Sequence, residues 1–499
     1  MPAPDGQRGP ADAGHRVAVV SRPGLAYHEP PPFDPPNPVY LAVEEVFRQL
    51  GLDRGRAGAP EWNPLGDLVS PGDRVVIKPN FVSSRNLHER ITDLKLQASS
   101  THGSLLRPVI DYALRAAGPR GQVRVVDCPV EGCEIEEVVR PLGVVAMLQE
   151  LRGRRHDLDF IDLRYFRVAP RFLLDDVRRF GRSFNLGLLV RERLAGDPAG
   201  YRVVDLGEAS RFEDHHAPFG QLCFHRSHRY TPVAHHRRGH HEYGMPASVL
   251  RADVIINLPK LKTHKKTGVT LALKSVIGLS HEKYWLPHFT AGHPGEGGDE
   301  YDRPQGPADR LESLLSRVPL PGDHSLVARA PRVAAPSRII DGSWEGNQTL
   351  WRTILDLNRA LLFADREGKL RDSPQRRYLA IVDGIVAGEG EGPLGASPVR
   401  AGLLVGGRDP SLVDHAAADA MGFDPGRIPL VRESLGGALL PSGRVDALEL
   451  VWDGPRPERA FVPPRSWPSL QGGDVPVPPR RAELAEPPPT ARSPRGKAR

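Results

Sequence analysis

Between Asp73 and Leu151 the chain alternates short apolar runs with helically spaced ones, and this rhythm narrows the fold more than any other feature. DRVVIKPN (73–80) reads as a buried strand running into a Pro-Asn stop. SLLRPVIDYALRAAG (104–118) has helical spacing and a glycine exit, and QVRVVDC (122–128) returns to strand. A further helix is expected within EIEEVVRPLGVVAMLQEL (134–151). Strand, helix and strand joined by short links predict parallel pairing through right-handed crossovers. RVAVVS (16–21) precedes this unit as a first strand. Later strand candidates are LDFIDL (158–163), NLGLLV (185–190), YRVVDL (201–206), ADVIINL (252–258), YLAIVDG (378–384), AGLLVGG (401–407) and ALELVWDG (447–454). Helices are expected at 40–51, 349–368 and 409–422, the last with Asp409 as N-cap. The fold class is therefore α/β: mostly parallel sheets with flanking helices, two packed lobes around a cleft, and long irregular loops.

Residues 1–15 are Pro/Gly/Asp-rich and expected to be disordered. One lobe is expected over 16–200 and a second over 201–454, with a long loop at 284–345. The Pro-rich tail 455–499 reads as disordered or draped over the surface. HEPPPFDPPNP (28–38) is too proline-rich for regular structure and reads as an extended connector. Of 499 residues 39% are apolar, enough for a sizeable core. The net charge of +6 is small beside 61 acids and does not point to nucleic acid or a membrane surface. Cys128, Cys133 and Cys223 cannot ligate a cluster that needs four cysteines, so no iron–sulfur cluster is expected. They suggest no disulfide framework either, which fits a cytoplasmic location. The N-terminus lacks the apolar stretch of a secretion signal, and no membrane span is expected.

The lysines carry the main functional signal. The chain has ten against 57 arginines, and six of the ten lie in LPKLKTHKKTGVTLALKSVIGLSHEK (258–283). Arginine and lysine serve equally for solubility. They differ where a compact ammonium or a titratable amine is required. If the extended chain persists past Pro259, Lys260, Lys262 and His264 share one side, because strand side chains alternate. They would project from the C-terminal end of a central strand, where open α/β sheets place their ligand crevices. TGVTLALKSVIG can then turn helical, with Thr270 and Lys274 one turn apart. Such a cluster of ammonium groups calls for an anion between them, either a substrate group or nearby protein acids. A solvated basic face is the competing account.

Other motifs sit at strand ends. VVIKPNFV (75–82) offers Lys78 and Asn80. SSTHGSLLRPVI (99–110) puts Thr101 and His102 ahead of a helix, where hydroxyls and free N–H groups suit an anion, or where Thr101 or Ser104 simply caps the helix. IVDGIVAGEGEGPLG (381–395) follows a strand with Asp383 at its end and Glu389 and Glu391 in a glycine loop. These acids could hold a hard divalent cation, act as a base or counter the lysines. A mobile glycine loop without chemistry is the alternative. Eight of the 19 histidines fall between His215 and His241, without helical metal spacing. His281, His288, His293 and Asp299 follow the lysine segment as candidate metal ligands or proton-transfer groups.

Together VVIKPN, STHGSLLRPVIDYALRAAG, ADVIINLPKLKTHKKTGVTLALKSVIGL, IVDGIVAGEGEGPLG and GRDPSLVDHAAADAMGFD resemble the bacterial and archaeal family known as domain of unknown function 362. The order and spacing match over roughly residues 73–423. The resemblance implies no settled reaction. Some members carry a ferredoxin-like cluster domain, whose cysteines this chain lacks. A topology-level similarity to nickel-pincer lactate racemases is an analogy only.

The expectation is an enzyme acting on a small anionic molecule that bears a carboxylate or phosphate, with racemase-, isomerase- or transferase-like chemistry all open. Lys260, Lys262 and Lys274 would clamp the anion, with Lys78, Asn80, Thr101, His102, Lys265 and Glu391 around it. His264 would be the general acid/base, poised near neutral pH. Asp383 or Glu389 would be a second acid/base or a ligand to a divalent metal. Two alternatives stand beside it. One is a polyanion or nucleic-acid module, disfavoured because few aromatics interleave the lysines. The other is a metal-binding protein working through its His-rich loops.

Overall fold

The computed structural model describes residues 14–83, 85–86, 89–90, 92–154, 158–172, 187–216, 218–224, 231–302 and 341–471. Eleven strands form one sheet: β1 (Arg16–Ser21), β2 (Arg74–Pro79), β3 (Gln122–Asp127), β4 (Leu158–Asp162), β5 (Val254–Leu258), β6 (Lys260–His264), β7 (Gly268–Val269), β8 (Arg377–Glu391), β9 (Gly395–Val399), β10 (Leu403–Gly407) and β11 (Glu449–Asp453). The order across the sheet is β11-β1-β10-β8-β5-β2-β3-β4. Strands β8, β5, β2, β3 and β4 run parallel, whereas β10 is antiparallel to both β8 and β1. β6 continues β5 past Pro259 and pairs in parallel with the second half of β8. The fold is α/β around a large, mostly parallel sheet.

Six helices matter here: α1 (Pro38–Gln49), α2 (Asp93–Ser99), α3 (Gly103–Ala117), α4 (Leu271–Ser275), α5 (Leu350–Phe363) and α6 (Pro410–Ala420). Side chains alternate along a strand, so each parallel strand feeds two cores. Val75, Ile77 and Ile256 face α1 and α3 through Val43, Phe47, Leu106 and Ile110. Val76 and Ile255 face the opposite layer, through Leu273, Ile354, Leu361 and Val413. Truncating any of these buried aliphatic groups to Ala costs about 2–5 kcal/mol.

Several boundaries differ from expectation. The sheet takes strands from both 16–200 and 201–454, because β5 registers directly on β2, with Val254 beside Val75. The two segments therefore share cores. The helical run at 134–151 is broken into Ile135–Val139 and Val144–Arg154, where Pro141 lacks a donor and Gly143 takes φ +71°. The glycine stretch is no loop, since β8 runs unbroken to Glu391. Its glycines are needed for close approach. A Cβ on Gly384 would lie 2.7 Å from Leu261 and 2.8 Å from the Leu403 carbonyl, and one on Gly388 would lie 2.8 Å from the Ala98 carbonyl. Part of the tail is packed: Phe461, Trp467 and Leu470 are buried. The disorder expected for 1–13 and 472–499, and most of the loop 303–340, fall outside the described residues.

Candidate functional site

At the C-terminal ends of β2 and β3, the start of β6 and within β8, two lysine–aspartate pairs are sealed from solvent. Lys78 Nζ lies 2.9 Å from Asp127 Oδ1, and Lys260 Nζ lies 3.0 Å from Asp383 Oδ2. None of the four side chains is more than 1% exposed. Asp127 also accepts from the backbone N–H of Phe81 (2.6 Å) and Cys128 (2.8 Å). Asp383 accepts from the Tyr27 hydroxyl (2.7 Å) and the His102 N–H (3.2 Å), and Lys260 donates to the same hydroxyl. Burial pulls Lys78 and Lys260 below the usual lysine value and pushes Asp127 up, against the attraction within each pair. Removing one partner of a buried pair costs about 3–5 kcal/mol, because the other charge is left uncompensated.

Thr101 locks the neighbouring strand ends together. Its hydroxyl accepts from Asn80 N (2.8 Å) and donates to Leu258 O (2.7 Å), so it does not cap α3. His102 does that, accepting from Ser104 N at 3.2 Å. Its ring stacks on Tyr27 with centroids 4.1 Å apart. Burial, then the Lys260 charge, drops its pKa to about 3, so it is neutral.

Lys262 and Lys274 are different. Lys262 is fully buried and donates to Ser99 O at 2.6 Å. Lys274 lies on α4, whose first N–H groups, those of Ala272 (2.6 Å) and Leu273 (3.0 Å), donate to the buried Asp414 of α6. Among the described residues neither ammonium pairs with a carboxylate. Burial, then repulsion from Lys274, Lys260 and Lys78, holds Lys262 well below its ordinary value. Burial, then Lys283, Lys266 and Lys78, brings Lys274 down to about 7. These mutual effects place the six side chains of Lys78, Lys260, Lys262, Lys266, Lys274 and Lys283 around one interior. One buried hydroxyl there, Thr270 Oγ1, has no hydrogen-bond partner among the described residues, and Thr270 N donates to Lys262 O at 2.9 Å. His264 sits in the same cluster. Its Nδ1 accepts from Lys266 N at 3.1 Å, so the neutral ring carries its proton on Nε2. Burial, then Lys274, Lys262 and Lys266, holds it well below 6.5. The neutral-pH titration expected of His264 therefore belongs to Lys274.

The remaining predicted residues lie elsewhere. Glu389 accepts from both Nη1 and Nη2 of Arg459 (2.8 Å each) and from Val462 N (2.9 Å). Glu391 pairs with Lys265 (2.9 Å) and accepts from Arg465 N (2.9 Å). Both acids anchor the tail rather than face the lysine interior. Alternation alone would put them on the face of Asp383, and it is the register break, with Lys260 beside Asp383 but Lys262 beside Gly388, that carries the end of β8 away. His281 stacks on Tyr201 at 3.9 Å between centroids, and burial lowers its pKa to about 4. His293 accepts from Gly295 N (3.1 Å) in a short turn. Asp299 accepts from Gln348 N and Thr349 Oγ1 at 2.7 Å each, and burial raises it to about 6. His288 lies close enough to the cluster to add to the depression of His264, while Lys266 and Lys283 act on Asp299 and His281. Among the described residues no group of three or more His, Cys, Asp or Glu is disposed to hold a metal ion.

The sequence reading missed Tyr27, Asp127 and Asp414. Tyr27 lies at the edge of the proline-rich connector, where nothing marks it. Asp127 and Asp414 each interrupt an apolar run, VRVVDC and SLVDHAAA, and an acid on a buried face is itself a signal.

With this geometry in place, the chain compares with known proteins as follows. Residues 207–419 match the family described as Domain of unknown function (DUF362), and over this segment the chain is similar to that family. The match takes in the lysine segment, β8 and α6. The Lys78 and Thr101 motifs lie before it. A thylakoid-associated protein of Synechocystis sp. is 25% identical over 189 residues, which are 37% of this chain and 38% of that protein. The chain thus spans well under half of that relative. No helix among the described residues is long and apolar enough to cross a membrane.

Proposed function

We propose that the protein is an enzyme whose lysine-lined interior binds a small carboxylate- or phosphate-bearing substrate. The observation that carries this reading is that Lys262 and Lys274 have no carboxylate partner among the described residues and adjoin the buried Thr270 hydroxyl, which has no partner among them either. Buried cations without counter-ions are costly, and an anion relieves them. Lys262 and Lys274 supply charge, Thr270 supplies a hydroxyl donor, and His264 Nε2–H supplies a neutral one. Lys78 and Lys260 are already neutralised by their aspartates and act as scaffold. A polyanion face is a poorer fit, because Lys260 and Lys262 are fully buried. A cytoplasmic location belongs to this proposal, and the thylakoid-associated relative makes fractionation of the native protein a direct check.

Calorimetric titration of the purified protein with inorganic phosphate, sulfate and acetate tests the site. Saturable binding of at least one anion is expected, weakened about tenfold or more in Lys262→Met, a loss of some 1.4 kcal/mol. Absence of saturable binding, or equal binding by a folded Lys262→Met variant, overturns the reading.

A further inference from the structure

Of the four lysines that face one another at the sheet end, three have fixed duties. Lys78 and Lys260 hold aspartates, and Lys262 is enclosed and hydrogen-bonded to Ser99 O at 2.6 Å. Lys274 has neither an ion-pair nor a hydrogen-bond partner among the described residues, and it is partly exposed where Lys262 and His264 are buried. One turn before it, Thr270 is 2% exposed and its hydroxyl has no partner among the described residues. An amine, an unpartnered hydroxyl donor and a second cation thus meet at the partly open side of the cluster.

We propose that Lys274 is a nucleophile that condenses with the carbonyl group of an anionic oxo compound, whose acidic group rests against Lys262, Thr270 and His264. The inference rests on the anion site argued above and narrows its substrate class to molecules bearing both a carbonyl and an acidic group. The amine nitrogen adds to the carbonyl carbon, and the C=O π pair moves to oxygen. That oxygen takes up the two hydrogens lost from nitrogen and leaves as water, so amine and carbonyl give an imine plus water with no oxidant or reductant. Arginine cannot perform this step, which accounts for a retained lysine in a chain rich in arginine. Burial and the surrounding cations keep a large share of the amine unprotonated near neutrality.

The test uses glyoxylate, an aldehyde with a carboxylate, and sodium cyanoborohydride, followed by peptide mapping across a pH series. Lys274 is expected to be captured about tenfold or more faster than the exposed Lys265 at pH 7. The adduct at that peptide should vanish in Lys274→Arg and persist in Lys265→Arg. Uniform labelling of surface lysines, with no preference for Lys274 in the folded wild-type protein, overturns the proposal. Inorganic phosphate in the same reaction separates the two readings. Saturable phosphate binding without capture at Lys274 sinks the nucleophile alone. Capture at Lys274 that phosphate neither slows nor competes with sinks the shared anion site, and the proposal with it.

Discussion

Lys78 and Lys260 differ from Lys262 and Lys274 in one respect: the first two have an aspartate at 2.9–3.0 Å and the second two have none. Lys78, Lys260 and Lys262 are drawn into the same low-dielectric interior, and Lys274 stands partly exposed at its edge. Where a counter-ion is built in, the lysine is part of the architecture, tying β2 to β3 and β6 to β8. Where it is left out, the positive charge is available to something that is not part of the chain. Asp127→Asn should therefore produce the largest effect. It strands Lys78 and leaves a single amide oxygen where Phe81 N and Cys128 N each had a carboxylate oxygen, for a loss of about 3–5 kcal/mol in urea unfolding. Lys262→Met should do the reverse, leaving ligand-free stability unchanged or higher. Ser99 O keeps a donor in that variant, from Asn80 Nδ2 at 3.1 Å. If the two variants destabilise equally, the division into paired and unpaired lysines is wrong.

Gly278 probes the paired side without removing charge. A Cβ there would lie 2.5 Å from Asp127 Oδ1 and 2.6 Å from Lys78 Nζ. Gly278→Ala should cost about 1–3 kcal/mol, the usual range for forced overpacking, and leave anion binding weakened less than in Lys262→Met. A neutral effect in thermal unfolding would mean that the pair has room to move.

The unpaired side has its own signature in pH. Lys274 is lowered from 10.5 to about 7 in the folded protein. Between those values the unfolded chain holds a proton that the folded chain has released, so stability rises with pH. The slope attributable to this group is about 1.4 kcal/mol per pH unit at most. Below pH 7 both states are protonated and the full penalty remains. The difference between wild type and Lys274→Met in anion-free buffer should therefore shrink as pH climbs from 7 towards 10. A flat difference curve would place Lys274 among the ordinary lysines.

The parallel core and the convergence of Lys78, Lys260, Lys262, His264, Lys274 and Asp383 were legible because periodicity and strand-end position report on topology. What the sequence hid was which charges neutralise which. Asp127 closes β3 without any motif around it, and Tyr27 reaches Asp383 from 356 positions away, so neither pairing leaves a local trace. The two glutamates were misjudged for a related reason. A glycine-rich run reads as a loop, yet here the missing side chains let Leu261 and the Ala98 carbonyl press against β8, so the strand continues and carries Glu389 past the cluster.

Glu389 gives the smallest and most discriminating test of that correction. It shares β8 with Asp383, but its carboxylate holds Arg459, whose side chain is 59% exposed, together with Val462 N. Exposed pairs contribute about 0–1 kcal/mol, and Gln at this position still accepts from Val462 N. Glu389→Gln should therefore lower the unfolding free energy by no more than about 1 kcal/mol, loosen the 459–462 segment to proteolysis, and leave anion affinity within twofold of wild type. If it abolishes anion binding instead, the end of β8 faces the lysine interior after all, and the tail covers a site rather than closing a surface.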